Sequence, residues 1–395
     1  MAALLSVSEA QARLLALAPA LTVETVDLVA AAGRWAAEDI FALRAQPAAD
    51  LSAMDGYAIR FAELPGPWTV AGSSVAGGGL GRALLPGETA RIFTGAPVPE
   101  GADTILIQEE AAREGDLVRL DGEGPEKRGR NVRPAGNDFR HGDRLIAAGE
   151  ALTPARIALA AVGGHGLLRV RRKPRIALIS TGDELVPPGA ATEGAMLPSS
   201  NAPMLAAMLG RCPAIIEDRG IVRDDLDAMA ASFAAAADAD IIVTTGGASV
   251  GDHDLVRPAL QKAGASLDFW RVAMKPGKPL MAGKLGDTIV LGLPGNPVSA
   301  FVTARLFLLP LVAHMLGAAL PVPSPLPLPL DGTLPPTANR AEYVRGVRTP
   351  AGVRPLPQQD SAALAALAAA DLLIVRPPGS PAAVAGEMVG ILDLA

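Results

Sequence analysis

The chain contains few of the residues that build several common kinds of site. Among 395 residues there is one cysteine, Cys212, so neither an intramolecular disulfide nor a cysteine-based zinc site can form. The four histidines are scattered without the spacing of metal ligands. Lys and Arg total 35 against 41 Asp and Glu, and the net charge of -6 argues against non-specific binding to nucleic acid or to an anionic membrane.

Long uninterrupted apolar segments are also missing. The first 20 residues carry the acidic Glu9 within an apolar pattern of helical period, unlike the basic start and apolar core of a signal peptide. The most hydrophobic segment, 298–316, has nearly the length needed to span a membrane, but Arg305 and His314 interrupt it. We therefore predict a cytoplasmic protein in which this segment is a buried helix.

What the chain does have is the composition of a folded protein with more than one core. Hydrophobic residues make up 50% and charged residues 19%, and 395 residues exceed the size at which a single core keeps growing. Short alternating runs from Trp68 to Leu120 predict a mostly β region. Seven prolines between Pro321 and Pro336 mark a stiff boundary, beyond which we expect strands at 342–348 and 371–376 and a short helix at 362–370.

Apolar periodicity predicts further helices and strands outside these regions. The predicted helices are 6–17, 33–40, 154–162, 202–209 and 226–236, and the predicted strands are 24–27 and 166–171.

Three short apolar runs lead directly into polar loops marked by glycine. Four or five consecutive branched apolar residues favour a strand that is buried on both faces, as in a parallel sheet. Ligands of such open sheets bind beyond the carboxyl ends of the strands. We therefore expect the three loops to form a binding crevice. The loops are 181–184, 244–251 and 292–297.

Several acidic residues lie in or beside loops of this kind. Carboxylates gathered in one crevice repel one another unless they share a cation, and hard oxygen ligands suit Mg²⁺. Taken singly, an acid in such a position is more often a turn former or helix cap, as for Asp224 before the helix predicted from 226, and only a cluster of them favours a metal site. The acids are Asp55, Asp138, Glu184, Asp224 and Asp254.

The loop 244–251 is a candidate anion site, because it combines three glycines with three hydroxyls after a buried strand. Glycine lets the backbone approach a phosphate closely, and successive amides form a concave anion site. The loop matches neither a P-loop nor Gly-x-Gly-x-x-Gly, so nucleotide binding by those routes is unsupported. Its central residues are Gly246, Gly247 and Ser249.

Cationic side chains occur in two rigid loops. Lys275 and Lys278, with Arg271 before them, stand among prolines and a glycine that would hold their charges in place for an anion. Arg133 lies in a similar loop. For each loop, a solvated basic turn is an equal alternative.

A further loop joins the third apolar run to the long hydrophobic segment. Pro294 and Pro297 flank Gly295-Asn296 at the predicted start of the helix, where backbone amides point outward. A simple strand-to-helix turn is the alternative.

Seven motifs together resemble one family, the molybdopterin molybdenumtransferases, which are bacterial relatives of the gephyrin E domain. The resemblance is colinear and spans about residues 5 to 395. The motifs are 52–58, 91–99, 131–138, 180–185, 244–251, 275–279 and 293–299.

The resemblance implies a multidomain fold of mixed α/β and β character. It implies an elongated homodimer of four-domain chains, with a doubly wound, molybdopterin-binding α/β domain, a β-rich domain and a small C-terminal β domain. The expected divisions are a linking domain at 1–48 plus 140–172, the β-rich domain at 49–139, the α/β domain at 173–320 and the C-terminal domain at 321–395.

The resemblance also implies an enzyme that inserts molybdate into adenylylated molybdopterin with Mg²⁺ and releases AMP, in contact with other proteins of molybdenum cofactor synthesis. In such an enzyme the β-rich domain of one subunit and the α/β domain of the other share the active cleft. The residues this implies are Asp55, Thr94, Arg133 and Asp138 from the β-rich domain and its entry loop; Glu184, Asp224 and Asp254 for Mg²⁺ or the attacking water; Arg271, Lys275 and Lys278 for molybdate or phosphates; Pro294 and Pro297 beside the pterin; and Arg345 and Ser361 from the C-terminal domain.

Two alternatives stay open on the sequence. A molybdopterin adenylyltransferase has the same kind of glycine loop, but works as one compact domain. A non-catalytic scaffold of the same fold would be indicated by loss of the acids, all of which are present.

Overall fold

A computed structural model describes residues 4–246 and 255–394. A π-helical turn, Ala304–Leu308, joins the last two helices of the hydrophobic segment. The α-helices are α1 Val7–Leu17, α2 Leu28–Ala31, α3 Pro154–Val162, α4 Asn201–Leu209, α5 Leu226–Ala235, α6 Val256–Lys262, α7 Pro297–Thr303, α8 Leu309–Met315 and α9 Leu364–Ala368.

The strands form three six-stranded sheets and several short pairs. Up to residue 171 they are β1 Val23–Asp27, β2 Ile40–Phe41, β3 Leu51–Ser52, β4 Gly56–Ile59, β5 Trp68–Ser74, β6 Glu88–Ile92, β7 Thr104–Ile107, β8 Ala111–Glu114, β9 Leu117–Leu120, β10 Val132–Arg133, β11 Arg144–Ile146 and β12 Leu167–Arg171. Beyond it they are β13 Arg175–Thr181, β14 Leu185–Val186, β15 Leu197–Pro198, β16 Ile215–Val222, β17 Ile241–Thr245, β18 Ser266–Arg271, β19 Met274–Lys275, β20 Pro279–Leu285, β21 Thr288–Leu293, β22 Leu326–Pro329, β23 Ala341–Thr349, β24 Gly352–Pro355, β25 Leu372–Arg376 and β26 Met388–Asp393.

The three apolar runs are β13, β17 and β21, and they are neighbours in one sheet of order β16-β13-β17-β21-β20-β18. The pairs from β16 to β21 are parallel, while β20 and β18 are antiparallel. Alternate residues of the central strands face opposite cores: Ile176 and Leu178 face one, whereas Ala177 and Ile179 face the other. Helices cover both faces, which explains why these strands are apolar at every position.

The N-terminal helix packs against this sheet. Ser6 accepts a hydrogen bond from the Glu9 amide and caps α1, as Ser at this position favours. Ala10 and Leu14 are buried in the same core as α7 and α8, so the first helix belongs to the packing of the α/β unit. By contrast β1, α2, α3 and β12 surround a separate small core that includes Ala160 and Val170.

The predicted helix at 33–40 is wrong. The structure places a short helix earlier, at Leu28–Ala31, where the Asp27 carboxylate accepts a hydrogen bond from the Ala30 amide. Gly33 has φ +75°, which ends helical geometry, and Ala36 then forms a bridge with Val170. Tertiary strand contacts therefore override the local apolar spacing.

Two further sheets complete the fold. The β-rich sheet has the order β7-β4-β6-β5-β9-β8; the alternating runs from Trp68 to Leu120 predicted this region apart from β4 at Gly56–Ile59. The C-terminal sheet has the order β19-β23-β25-β26-β22, with β24 paired to β23. Its first strand, β19, comes from the α/β unit, and Tyr343 and Leu373 share the core of that unit.

The hydrophobic segment is a core helix. Pro297–Met315 is long and apolar enough to cross a membrane, yet 72% of its apolar window is buried inside the protein. Val302, Phe307 and Leu311 are fully buried in the core shared with the sheet. The prediction of a buried helix is confirmed.

Candidate functional site

An open cleft of about 1690 Å³ lies between the α/β unit and the C-terminal sheet. One wall is built from loops that follow the parallel strands, and the other from the C-terminal unit. The strand-end residues Thr181, Val222, Thr245 and Leu293 are brought level by the ladder register, in which Thr181 pairs with Val222 and Thr245 with Leu293. The loops that follow these residues consequently meet at one edge of the sheet.

Gly246 lets the central loops approach each other closely. Gly246 has φ +99°, and a Cβ atom there would lie 2.3 Å from the Thr181 carbonyl oxygen. A Cβ on Gly295 would lie 3.5 Å from the Gly246 Cα. Only glycine fits the first position, so the anion loop starts against the ends of two neighbouring strands. Gly247 and Ser249 lie outside the described residues.

Two of the predicted metal ligands, Glu184 and Asp224, line this cleft together. Their loops are joined reciprocally: the Asp183 amide donates to Asp224 Oδ2 at 3.3 Å, and the Asp224 amide donates to Asp183 Oδ1 at 3.2 Å. The Glu184 carboxylate lies over the open face of Gly182, where a Cβ would come within 2.5 Å of its Oε2. The third, Asp254, lies outside the described residues.

Within 4–246 and 255–394 no group of three His, Cys, Asp or Glu is arranged to hold a metal ion. Glu184 and Asp224 nevertheless supply carboxylate oxygens at neighbouring strand ends, the donor type that Mg²⁺ prefers.

The two predicted lysines, Lys275 and Lys278, also line the cleft, and Lys275 lies on β19, which pairs with β23 of the C-terminal sheet. Both are exposed, and Lys275 Nζ stands 3.5 Å from Glu342 Oε1, so its charge is partly balanced. Arg271 ends the edge strand β18, is half-buried, and is not among the described residues that line the cleft. The three cations of this basic segment therefore lie in two places: the two lysines line the cleft, and the arginine lies on the edge strand of the sheet.

A contact between the units fixes the loop of Pro294 and Pro297, both of which line the cleft. Asn296 Nδ2 donates to Ser361 Oγ at 2.9 Å, and the Val298 amide donates to the Ser361 carbonyl at 3.1 Å. Ser361 thus satisfies an amide in the first turn of α7, which has no partner within the helix. This sequence-predicted serine joins the C-terminal unit to the wall of the cleft.

Arg345 is placed beneath that serine. It is 1% exposed, and its guanidinium donates to the carbonyls of Gln358 at 2.9 Å, Asp360 at 3.0 Å and Ala363 at 3.5 Å. Burial lowers the pKa of Arg345, although the nearby Asp360 opposes the shift. Its side chain contacts the 358–363 segment, which carries Ser361, and Arg345 is not among the described residues that line the cleft.

The structure gathers the predicted residues of the β-rich unit elsewhere. Asp55 Oδ1 accepts hydrogen bonds from the Thr94 amide at 2.7 Å and the Thr94 hydroxyl at 2.9 Å. These two bonds, amide first, lower the pKa of Asp55, with help from the positive charge of Arg91. Arg133 is exposed on β10, which pairs with the strand just before Asp55, and Asp138 is exposed nearby. None of the four is among the described residues that line the cleft of the same chain.

Sequence reasoning missed Asn201, Arg340, Glu342 and Arg376, all of which line the cleft. Asn201 Nδ2 donates to the Gly295 carbonyl at 2.7 Å and so holds the Pro294–Pro297 loop from the start of α4. A polar residue after two serines signals a helix start but not this contact. The other three depend on strand register, which no local pattern reveals.

Similarity to known proteins extends along nearly the whole chain. Family models described as "MoeA N-terminal region (domain I and II)", "Probable molybdopterin binding domain" and "MoeA C-terminal region (domain IV)" match residues 5–164, 177–314 and 327–394. The chain is 36% identical to a molybdopterin molybdenumtransferase of Haemophilus influenzae over 80% of its length and 78% of that protein. It is 35% identical to another from Synechococcus elongatus over 95% of each.

The fold agrees with solved structures as well. A molybdopterin biosynthesis protein from Pyrococcus horikoshii superposes with a TM-score of 0.85 at 26% identity, covering 98% of this chain and 99% of that one.

Proposed function

The chain belongs to the molybdopterin molybdenumtransferase family, and we propose that it inserts molybdate into adenylylated molybdopterin and releases AMP in molybdenum cofactor synthesis. The observation that carries this proposal is the polarity of the cleft. Carboxylates at the strand ends, Glu184 and Asp224, and the cations Lys275 and Lys278 line the same cleft. A substrate with a pyrophosphate and a second oxyanion requires both kinds of group.

Glu184 and Asp224 would hold Mg²⁺, with Asp254 as the third predicted ligand. When bound, Mg²⁺ would neutralise phosphate oxygens and polarise the pyrophosphate. The reciprocal hydrogen bonds between Asp183 and Asp224 hold the Asp224 carboxylate and join its loop to the one that carries Glu184. Such fixed charge needs no rearrangement when the pyrophosphate bond breaks.

The cationic side chains of the cleft would hold the anions. Lys278 and Lys275 would bind molybdate or the substrate phosphates, with the Lys275 charge tempered by Glu342. Pro294 and Pro297 would shape the pterin side, in a loop held by Asn201 and Ser361. Gly246, with Gly247 and Ser249, would offer backbone and hydroxyl donors to a phosphate, and Arg271 would contribute from the sheet edge.

We also propose a cytoplasmic homodimer of four-domain chains, in which Asp55, Thr94, Arg133 and Asp138 of a second copy complete each cleft. Two observations support this arrangement. Thr94 holds the Asp55 carboxylate by two hydrogen bonds, and none of the four is among the described residues that line the cleft of their own chain. Other proteins of cofactor synthesis are expected to deliver the substrate and accept the product.

The test incubates the protein with adenylylated molybdopterin, with and without molybdate and Mg²⁺, and measures the released AMP by chromatography. The proposal expects release that depends on both. Release unaffected by molybdate would contradict it, and transfer of AMP from ATP to molybdopterin would instead support an adenylyltransferase.

A further inference from the structure

Two arginines of the C-terminal unit face the cleft without a carboxylate partner. Arg340 and Arg376 both line it, and neither forms an ion pair among the residues that the structure describes. Both lie apart from the loops that the family resemblance identifies. Their surroundings raise the question of which negative charge balances them.

The environment of Arg376 is the more unusual of the two. It is only 6% exposed, and its terminal nitrogen donates to the carbonyls of Pro335 and Pro381. Its Nε is buried and has no hydrogen-bond partner. A buried charge without a counter-charge is costly, and an unsatisfied donor adds to that cost.

The acid that pairs with Arg376 across the sheet contacts another cation. Glu342 stands directly opposite Arg376 in the antiparallel ladder of β23 and β25. Its carboxylate nevertheless lies 3.5 Å from Lys275 Nζ, and Arg376 has no carboxylate within ion-pair distance. Glu342 therefore leaves this part of the wall positive.

Arg340 adds to the same positive region. It lies two residues before Glu342, in the bend that leads into β23. It is half-buried, so its guanidinium is restricted in position while still reaching the cleft. Planar guanidinium groups bind phosphate-like oxyanions through paired hydrogen bonds.

We propose that Arg340 and Arg376 form a second oxyanion subsite, separate from Lys275 and Lys278, which takes a tetrahedral oxyanion: a phosphoryl group of the nucleotide-bearing substrate or molybdate itself. The inference rests on the proposed function for the identity of the ligand. Arg340 is the contacting residue in this scheme. Arg376 supplies the buried charge that the anion balances.

The test measures binding without turnover, so it stands apart from the transferase assay. AMP alone and molybdate alone are titrated calorimetrically into the full-length protein at low salt. Arg340→Ala is compared with wild type and with the control Arg119→Ala, an exposed arginine of the β-rich sheet. Loss of one charge-assisted contact is expected to raise Kd about tenfold for the anion that uses the subsite, and the control is expected to leave it unchanged.

The two arms identify the ligand. Weaker AMP binding with unchanged molybdate binding assigns a phosphoryl group, and the reverse assigns molybdate. Unchanged binding of both anions overturns the proposal. If Arg340→Ala binds one anion about tenfold more weakly than wild type, but wild-type protein shows no transferase activity, the subsite stands and the proposed function is refuted.

A second variant separates binding from support of the fold. Arg376→Met removes the charge but keeps an apolar chain in the buried space. The proposal expects weaker binding of the same anion that Arg340→Ala affects, in protein that still unfolds cooperatively. If folded Arg376→Met protein binds the anion as tightly as wild type, Arg376 serves only to connect the loops at Pro335 and Pro381. That result would overturn its place in the subsite.

Discussion

Replacing Arg345 with methionine tests whether this residue acts on the cleft through the segment that carries Ser361. The change removes donors to the carbonyls of Gln358 and Asp360, at 2.9 Å and 3.0 Å, and a longer contact to Ala363. Each short bond from a charged donor contributes roughly 1.5–3 kcal/mol, and the cost of burying the guanidinium offsets part of the total. We expect a net loss of about 3 kcal/mol in the local stability of the segment.

Hydrogen exchange read by mass spectrometry measures this loss directly. A local destabilisation of about 3 kcal/mol accelerates exchange on the order of 100-fold for amides that open with the segment. Peptides covering 356–364 should respond, and so should the peptide with Val298, whose amide donates to the Ser361 carbonyl. Arg348→Met on the same strand is the control, because its half-exposed ion pair with Asp393 contributes little.

Unchanged exchange of 356–364 in Arg345→Met would refute the reasoning. So would accelerated exchange of this segment with wild-type protection at Val298, because the contact through Ser361 would then not transmit the change.

Three other predictions concern separate parts of the molecule. Gly246→Ala should lose activity and stability because of the clash at the strand end, whereas Gly166→Ala, with open space around its Cβ, should behave as wild type in thermal unfolding and AMP release; equal behaviour of the two variants would contradict the geometry. Asp55→Asn should abolish AMP release while its circular dichroism and thermal midpoint stay near wild type; a collapsed midpoint would make Asp55 structural. The ion pair with Arg82 lowers the pKa of Glu88 from 4.5 to about 2, so its stabilisation is complete above pH 4.5 and lost as pH falls toward 2. The difference in urea midpoint between wild type and Glu88→Gln should therefore shrink on acidification, and a constant difference would contradict it.

The sequence predicted those parts of the fold in which local pattern and tertiary packing agree. β13, β17 and β21 are apolar at every position because both faces are covered, and their loops do meet at one sheet edge. The helix at Pro154–Val162 was predicted with the same bounds, with Pro154 in its first turn and Thr153 as its cap. At 33–40 the same kind of pattern failed, because strand contacts from distant residues determined the backbone there.

Residues of the candidate site could be predicted only where a charged side chain lies in a loop with a distinctive sequence. Glu184, Asp224, Lys275 and Lys278 follow strands or lie among prolines, and they line one cleft. Arg376 and Glu342 lie opposite each other through a pairing between strands about thirty residues apart, and sequence does not specify that register. Arg345 looked like a candidate ligand, but its burial under the 358–363 segment depends on how the chain returns over β23.

The most direct measurement is the activity of purified mixed dimers in which one subunit carries Asp55→Asn and the other Glu184→Gln. If each cleft takes Glu184 from one chain and Asp55 from the other, one of the two sites in every mixed dimer is intact. Such dimers should then release AMP at about half the wild-type rate, although each parent variant is inactive. Mixed dimers as inactive as their parents, or a fully active monomer, would contradict a cleft completed by a second copy.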